Sequence, residues 1–135
     1  MHVIRTRIPQ VALLLPTSVK TCRELLRGIL QYVHFHGPWN VHLIEGREGE
    51  QKMLHPETWG CTGVIGSLNG LAPARRLLAS RVPTICTNRT DEFINAAHPL
   101  SRLSCVVCDN RLIGQRAADY FLGLKFKHFA FVGQV

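Results

Sequence analysis

Nowhere in its 135 residues does the chain hold an apolar run near the roughly 20 residues that a membrane-spanning helix needs. The apolar run at residues 11–15 is too short for the core of a secretory signal, and no small-residue cleavage site follows it. The expectation is a cytoplasmic chain with a basic tail at residues 1–9 and no membrane contact. Catalytic motifs are missing too. There is no G-x-S-x-G, no glycine-lysine phosphate loop, and no G-x-G-x-x-G after the first apolar run. Gly60-x-x-Gly63-x-x-Gly66 straddles a strand instead of opening a helix, so it is no phosphate cradle. The seven histidines are dispersed, and the nearest pair, His34 and His36, diverge on a helix end. No Ser/Cys–His–Asp set follows from spacing. These absences exclude most enzyme classes: no catalytic residue, no metal and no cofactor are expected. Repeats and low-complexity tracts are absent as well.

Charge is sparse, at 19%, and it is unbalanced, with a net +7. The cations are scattered from Arg5 to Lys127, and no helix carries a basic stripe interleaved with aromatics. A solvated surface explains them better than a nucleic-acid groove. The cysteines, five in all, are odd in number, and four sit in or beside apolar runs. Reduced, buried thiols are the plain reading. Cys105 and Cys108 form a CxxC, but residues three apart on a strand face opposite ways, which suits neither chelation nor a disulfide.

What is abundant is apolar residue, 46%, arranged in short blocks. Residues 10–15 (QVALLL) read as a first strand, broken by Pro16-Thr17-Ser18. Thr21 and Glu24 have the spacing of a capping box, and the helix behind them would bury Cys22, Leu25, Leu26, Ile29, Leu30 and Val33 until Gly37-Pro38 stops it. Residues 39–44 alternate like a strand near a sheet edge. The polar stretch that follows holds at most a turn of helix at Met53-Leu54, which Pro56 interrupts. Residues 61–67 and 82–87 are two more strands, separated by a turn at Asn69-Gly70 and a short helix, 74–79, opened by Pro73. A loop over 90–102 leads to a fifth strand, 104–108. Ile113, Ala117, Tyr120, Phe121 and Leu124 then mark one stripe of a helix, and 128–132 reads as a returning strand. Alternating strands and helices with continuous apolar strands predict a three-layer α/β/α fold on a mainly parallel sheet of about five strands.

Ligands of open parallel sheets bind past the carboxyl ends of the strands. Those ends carry Thr17 and Ser18, Ser67, Asn88 and Arg89, and Asp109 and Asn110. Hydroxyl, amide, carboxylate and guanidinium groups are an inventory for a polar small molecule such as a sugar. The same residue types also cap helices and form turns.

The stretch VVCDNRLIGQRAADYFLGLKFKHFAFVGQ resembles the sensing domain of LacI/GalR-type repressors and type I periplasmic binding proteins. More narrowly, it resembles the N-terminal half of the xylose-operon activators, the XylR-type branch of the AraC-family regulators. Asp109, Asn110, Gly114, Ala117, Phe129-Ala130-Phe131 and Gly133 occupy the family's places, and VALLLP, GVIG and VPTI fit as well. The resemblance implies lobe one of a two-lobed sensing domain over residues 10–127, with 128–135 entering a second lobe that is not in this chain. It implies that Asp109 faces an effector cleft, that the effector is a small molecule such as a sugar, and that the regulator is a homodimer. DNA would be contacted only through a helix-turn-helix domain outside the chain. One departure stands out: relatives often carry glycine between the helix and the FAFxG strand, and here Lys125-Phe126 fills that place, with Gly123 two residues earlier. The helix is expected to end sooner, or without a left-handed cap. The rival readings are a flavodoxin-like or Rossmann-like nucleotide-binding enzyme domain, which needs a phosphate loop after the first strand, and an exported sugar-transport protein, which needs an export signal.

Overall fold

A computed structural model of the chain describes residues 7–45, 52–53, 55–68, 71–88 and 95–133. Five strands form one sheet: β1 (Gln10–Leu14), β2 (Asn40–Leu43), β3 (Gly63–Gly66), β4 (Thr84–Cys86) and β5 (Ser104–Cys105). Their order is β2-β1-β3-β4-β5, and every pairing is parallel. Among the described residues three longer α-helices accompany them: α1 (Lys20–His36), α2 (Leu71–Ser80) and α3 (Asn110–Gly123). The expected three-layer α/β architecture is present.

The step from β1 to β2 runs toward one sheet edge, and the steps from β3 to β5 run toward the other. Right-handed crossovers therefore put α1 on one face and α2 on the opposite face. On the α1 face, Val11, Leu13 and Leu15 are buried beneath Cys22, Leu25, Leu26 and Ile29. On the α2 face, Ala12, Val64 and Cys86 pack with Leu68, Ala74, Leu77 and Leu100. Each fully buried leucine here stabilises the fold by about 1.5–3 kcal/mol. Gly66 is required where β3 crosses β1, because a Cβ there would fall on the carbonyl oxygen and Cβ of Leu14.

Several expectations need correcting. The capping box does not form. The N-cap of α1 is Val19, which makes no side-chain cap bond. Instead Arg23 reaches back, donating to the carbonyls of Thr17 (2.7 Å) and Ser18 (3.0 Å), while Glu24 pairs with Arg27. Leu30 is 47% exposed, because one sheet face covers only a narrow stripe of a helix. Lys52 and Met53 are helical, and Pro56 then opens a 3-10 turn, Pro56–Trp59, and is itself buried. The expected loop at 90–102 contains a second 3-10 turn, Pro99–Arg102, which plants Leu100 in the core. α2 is longer than expected and starts two residues before Pro73. The expected turn at Asn69-Gly70 lies outside the described residues. Of the cysteines, Cys61 and Cys86 are buried, Cys22 and Cys105 are half-buried and Cys108 is exposed; all are free thiols. Burial pushes the Cys61 thiol up from its ordinary pKa, so it stays protonated at neutral pH.

The C-terminal βαβ unit is the largest difference. β5 stops at Cys105, residues 128–132 form no strand, and every described residue from Val106 onward is exposed. Strand composition is not sufficient for a strand, because the backbone needs a neighbour to pair with. The end of α3 is well formed even so. The Phe126 N–H donates to the Phe121 carbonyl (3.2 Å) and the Lys125 N–H to the Leu122 carbonyl (2.9 Å), with Lys125 at φ 62. That is a Schellman motif whose left-handed position holds lysine instead of glycine. The helix does end early, at Gly123, and it keeps its left-handed cap.

Candidate functional site at the carboxyl edge of the sheet

All five strands point the same way, so the segments leaving them share one edge. The strand order reverses between β1 and β3, which places the crevice of an open α/β sheet at their carboxyl ends. On the β1 side stand Thr17, half-buried, and Ser18, exposed. The Thr17 N–H donates to Glu45 Oε1 at 2.8 Å. Hydrogen bonds from Thr17 hold the Glu45 carboxyl below the usual carboxylate range, against a small opposing effect of desolvation. Sequence reasoning did not single out Glu45 or Arg23. Glu45 had a legible signal, since it lies two residues past β2 and so at the same edge as Thr17.

Across the crevice, the Ser67 N–H donates to the Leu14 carbonyl at 2.9 Å, which seats Ser67, half-buried, beside the end of β1. Asn88 stands behind it. Its Oδ1 accepts the Leu68 N–H at 2.9 Å, and its Nδ2 donates to the Leu68 carbonyl at 3.5 Å. The Cys86 thiol donates to the Asn88 carbonyl at 2.9 Å and lies 3.1 Å from Oδ1. Asn88 is therefore a strut between the tips of β3 and β4, and its amide is turned toward backbone. Arg89 lies outside the described residues.

Asp109 and Asn110 reach the same end of the sheet by the extension beyond β5. Asp109 Oδ1 accepts the Leu112 N–H at 2.8 Å and so caps α3. Both residues are exposed, with Asn110 the first residue of the helix. The fold thus gathers Thr17, Ser18, Ser67 and Asn88 around the switch point and sets Asp109 and Asn110 at the far, β5 end of the rim.

This arrangement offers hydroxyls and a carboxylate to a polar ligand. Among the described residues no group of three or more His, Cys, Asp or Glu is placed to hold a metal ion, and no helix is long and apolar enough to cross a membrane. Comparisons of the chain with protein-family models, with curated proteins and with solved structures find no match.

Proposed function

We propose that the chain is one lobe of a bacterial effector-sensing domain of the type I periplasmic-binding-protein kind, working in a transcription regulator and binding a sugar without turning it over. The observation that carries this reading is the polar rim at the switch point of an all-parallel sheet, built from Thr17, Ser18, Glu45 and Ser67. One rim is one wall of a cleft, and a second lobe would supply the other. A ligand that bridges two walls favours their closed arrangement by its extra contacts there, and closure reorients whatever is attached to them. DNA contact belongs to a helix-turn-helix domain outside the chain.

Half of the contacts means weak affinity, with dissociation constants about millimolar or weaker, roughly 4 kcal/mol of binding. Saturation-transfer NMR against a panel of pentoses and hexoses is the suitable test. At least one sugar should give a signal that Ser67→Val and Thr17→Val diminish. Silence from the whole panel, or micromolar affinity in calorimetry, would contradict a one-walled sugar site.

The strand order also occurs in flavodoxin-like domains, which favours a nucleotide-binding reading. The loop after β1 argues against it. The Thr17 amide, which a phosphate would need, is held by the Glu45 carboxylate, and that negative charge repels a phosphate. Flavin or nucleotide absorbance co-purifying with the chain would reverse this preference.

A further inference from the structure

We propose that Cys86 and Cys105 form a redox pair, which hydrogen peroxide closes into a disulfide, loosening the Asn88 strut at the rim. This holds whether or not the rim binds an effector. The two residues are register partners on the neighbouring parallel strands β4 and β5. Strands lie about 4.8 Å apart, inside the roughly 4.4–6.8 Å between Cα atoms that a disulfide spans. Register partners send their side chains to the same face of a sheet. Both residues accordingly belong to the α2-side core, Cys86 within it and Cys105 packed against it. The other cysteines are placed differently. Cys22 sits on α1, over the opposite face. Cys61 shares the α2-side core, but it comes five residues before Gly66, the β3 partner of Cys86, which sets it about 16 Å back along the strand direction. Cys108 lies past the end of β5 and is exposed.

Burial orders the chemistry. Cys86 is fully buried, whereas Cys105 is half-buried on a short edge strand, so a small peroxide reaches Cys105 first. The Cys105 thiolate attacks one peroxide oxygen and the O–O bond breaks. The departing hydroxide takes up the thiol's proton and leaves as water, and Cys105 becomes a sulfenic acid. The Cys86 sulfur then attacks the Cys105 sulfur and the S–O bond breaks. That oxygen leaves as a second water, carrying the Cys86 proton. The two thiols lose two electrons and hydrogen peroxide gains them. In the reduced chain the Cys86 thiol donates to the Asn88 carbonyl at 2.9 Å and lies 3.1 Å from Asn88 Oδ1. A sulfur bonded to Cys105 has no proton to donate, and it is turned sideways toward β5, away from the residues that follow β4. Asn88 then loses its anchor on Cys86 and holds the Leu68 backbone less firmly.

Tryptic mapping of the full chain after treatment with hydrogen peroxide tests the pairing. Cleavage after arginine puts Cys86 in peptide 82–89 and both Cys105 and Cys108 in peptide 103–111. Two of the five thiols should disappear, and 82–89 should be recovered joined to 103–111. The same link should form in Cys108→Ser, a change at an exposed side chain that the fold should tolerate. Dithiothreitol should reverse it. In urea the same treatment should scatter the links among all the cysteines, because the strand register no longer holds this pair together. Hydrogen exchange at the Leu68 amide should quicken several-fold in the oxidised chain and recover on reduction. A bridge within 103–111, loss of the link in Cys108→Ser, sulfinic acid accumulating at Cys105, an equal yield of the link in urea, or Leu68 exchange that oxidation leaves unchanged would each overturn the redox pair.

Discussion

Replacing Asn88 by alanine separates a strut from a ligand contact. The Leu68 N–H, on a residue buried in the α2-side core, loses its acceptor at 2.9 Å, and the Cys86 thiol loses one of its two. An unsatisfied buried amide costs about 1–3 kcal/mol, and the 3.5 Å bond from Nδ2 adds little. A loss of about 2 kcal/mol follows. With a urea dependence of about 1–3 kcal/mol per molar for a domain of this size, the unfolding midpoint should fall by about 1 M. Asn88→Asp keeps an acceptor for the Leu68 amide and should lose less than half as much. Urea unfolding followed by circular dichroism reads both variants, and hydrogen exchange should show the Leu68 amide losing protection in Asn88→Ala alone. An alanine variant as stable as the wild type would refute the strut and return Asn88 to the ligand-facing residues.

Other consequences can be checked alongside. Gly66→Ala drives a methyl group into the Leu14 backbone and should cost about 3 kcal/mol or leave no soluble protein, as read by thermal melting. Glu45 has a lowered folded-state pKa, so its stabilisation of the rim is present above the unfolded carboxyl pKa and is lost as pH falls through the lower folded value. The stability difference between wild type and Glu45→Gln should therefore be constant near neutrality and shrink as pH falls below the ordinary carboxyl range, and a difference that grows in acid would contradict the Thr17 bond. Lys125→Gly relieves a left-handed lysine and should stabilise the end of α3 by about 1 kcal/mol, visible as slower amide exchange at Phe126.

The layers were legible because the central strands are continuous apolar blocks and α1 shows a clean helical period. Two kinds of feature were not. The first is the side chain that acts on backbone at a distance. Nothing in the spacing says that Arg23, and not a Thr21–Glu24 box, would secure the start of α1, because that depends on where the loop carbonyls point. The second is the choice of partner. The run at 128–132 has strand composition, but composition does not say which edge, or which copy, will accept it. At the rim, the parallel order foretold which residues share an edge, yet it left open which of them face outward. Asn88 and Asp109 turn out to bond backbone, as their residue types often do, whereas Glu45 stood in a stretch with no periodicity to mark it.

Amide shift mapping with the sugar that gives the strongest saturation-transfer signal tests the polar rim as a ligand wall most directly. The account predicts shifts grouped at Thr17, Ser18, Glu45 and Ser67, with weaker ones at Asp109 and Asn110. Shifts grouped instead along α1 or at the 3-10 turns, away from the carboxyl edge, would contradict it.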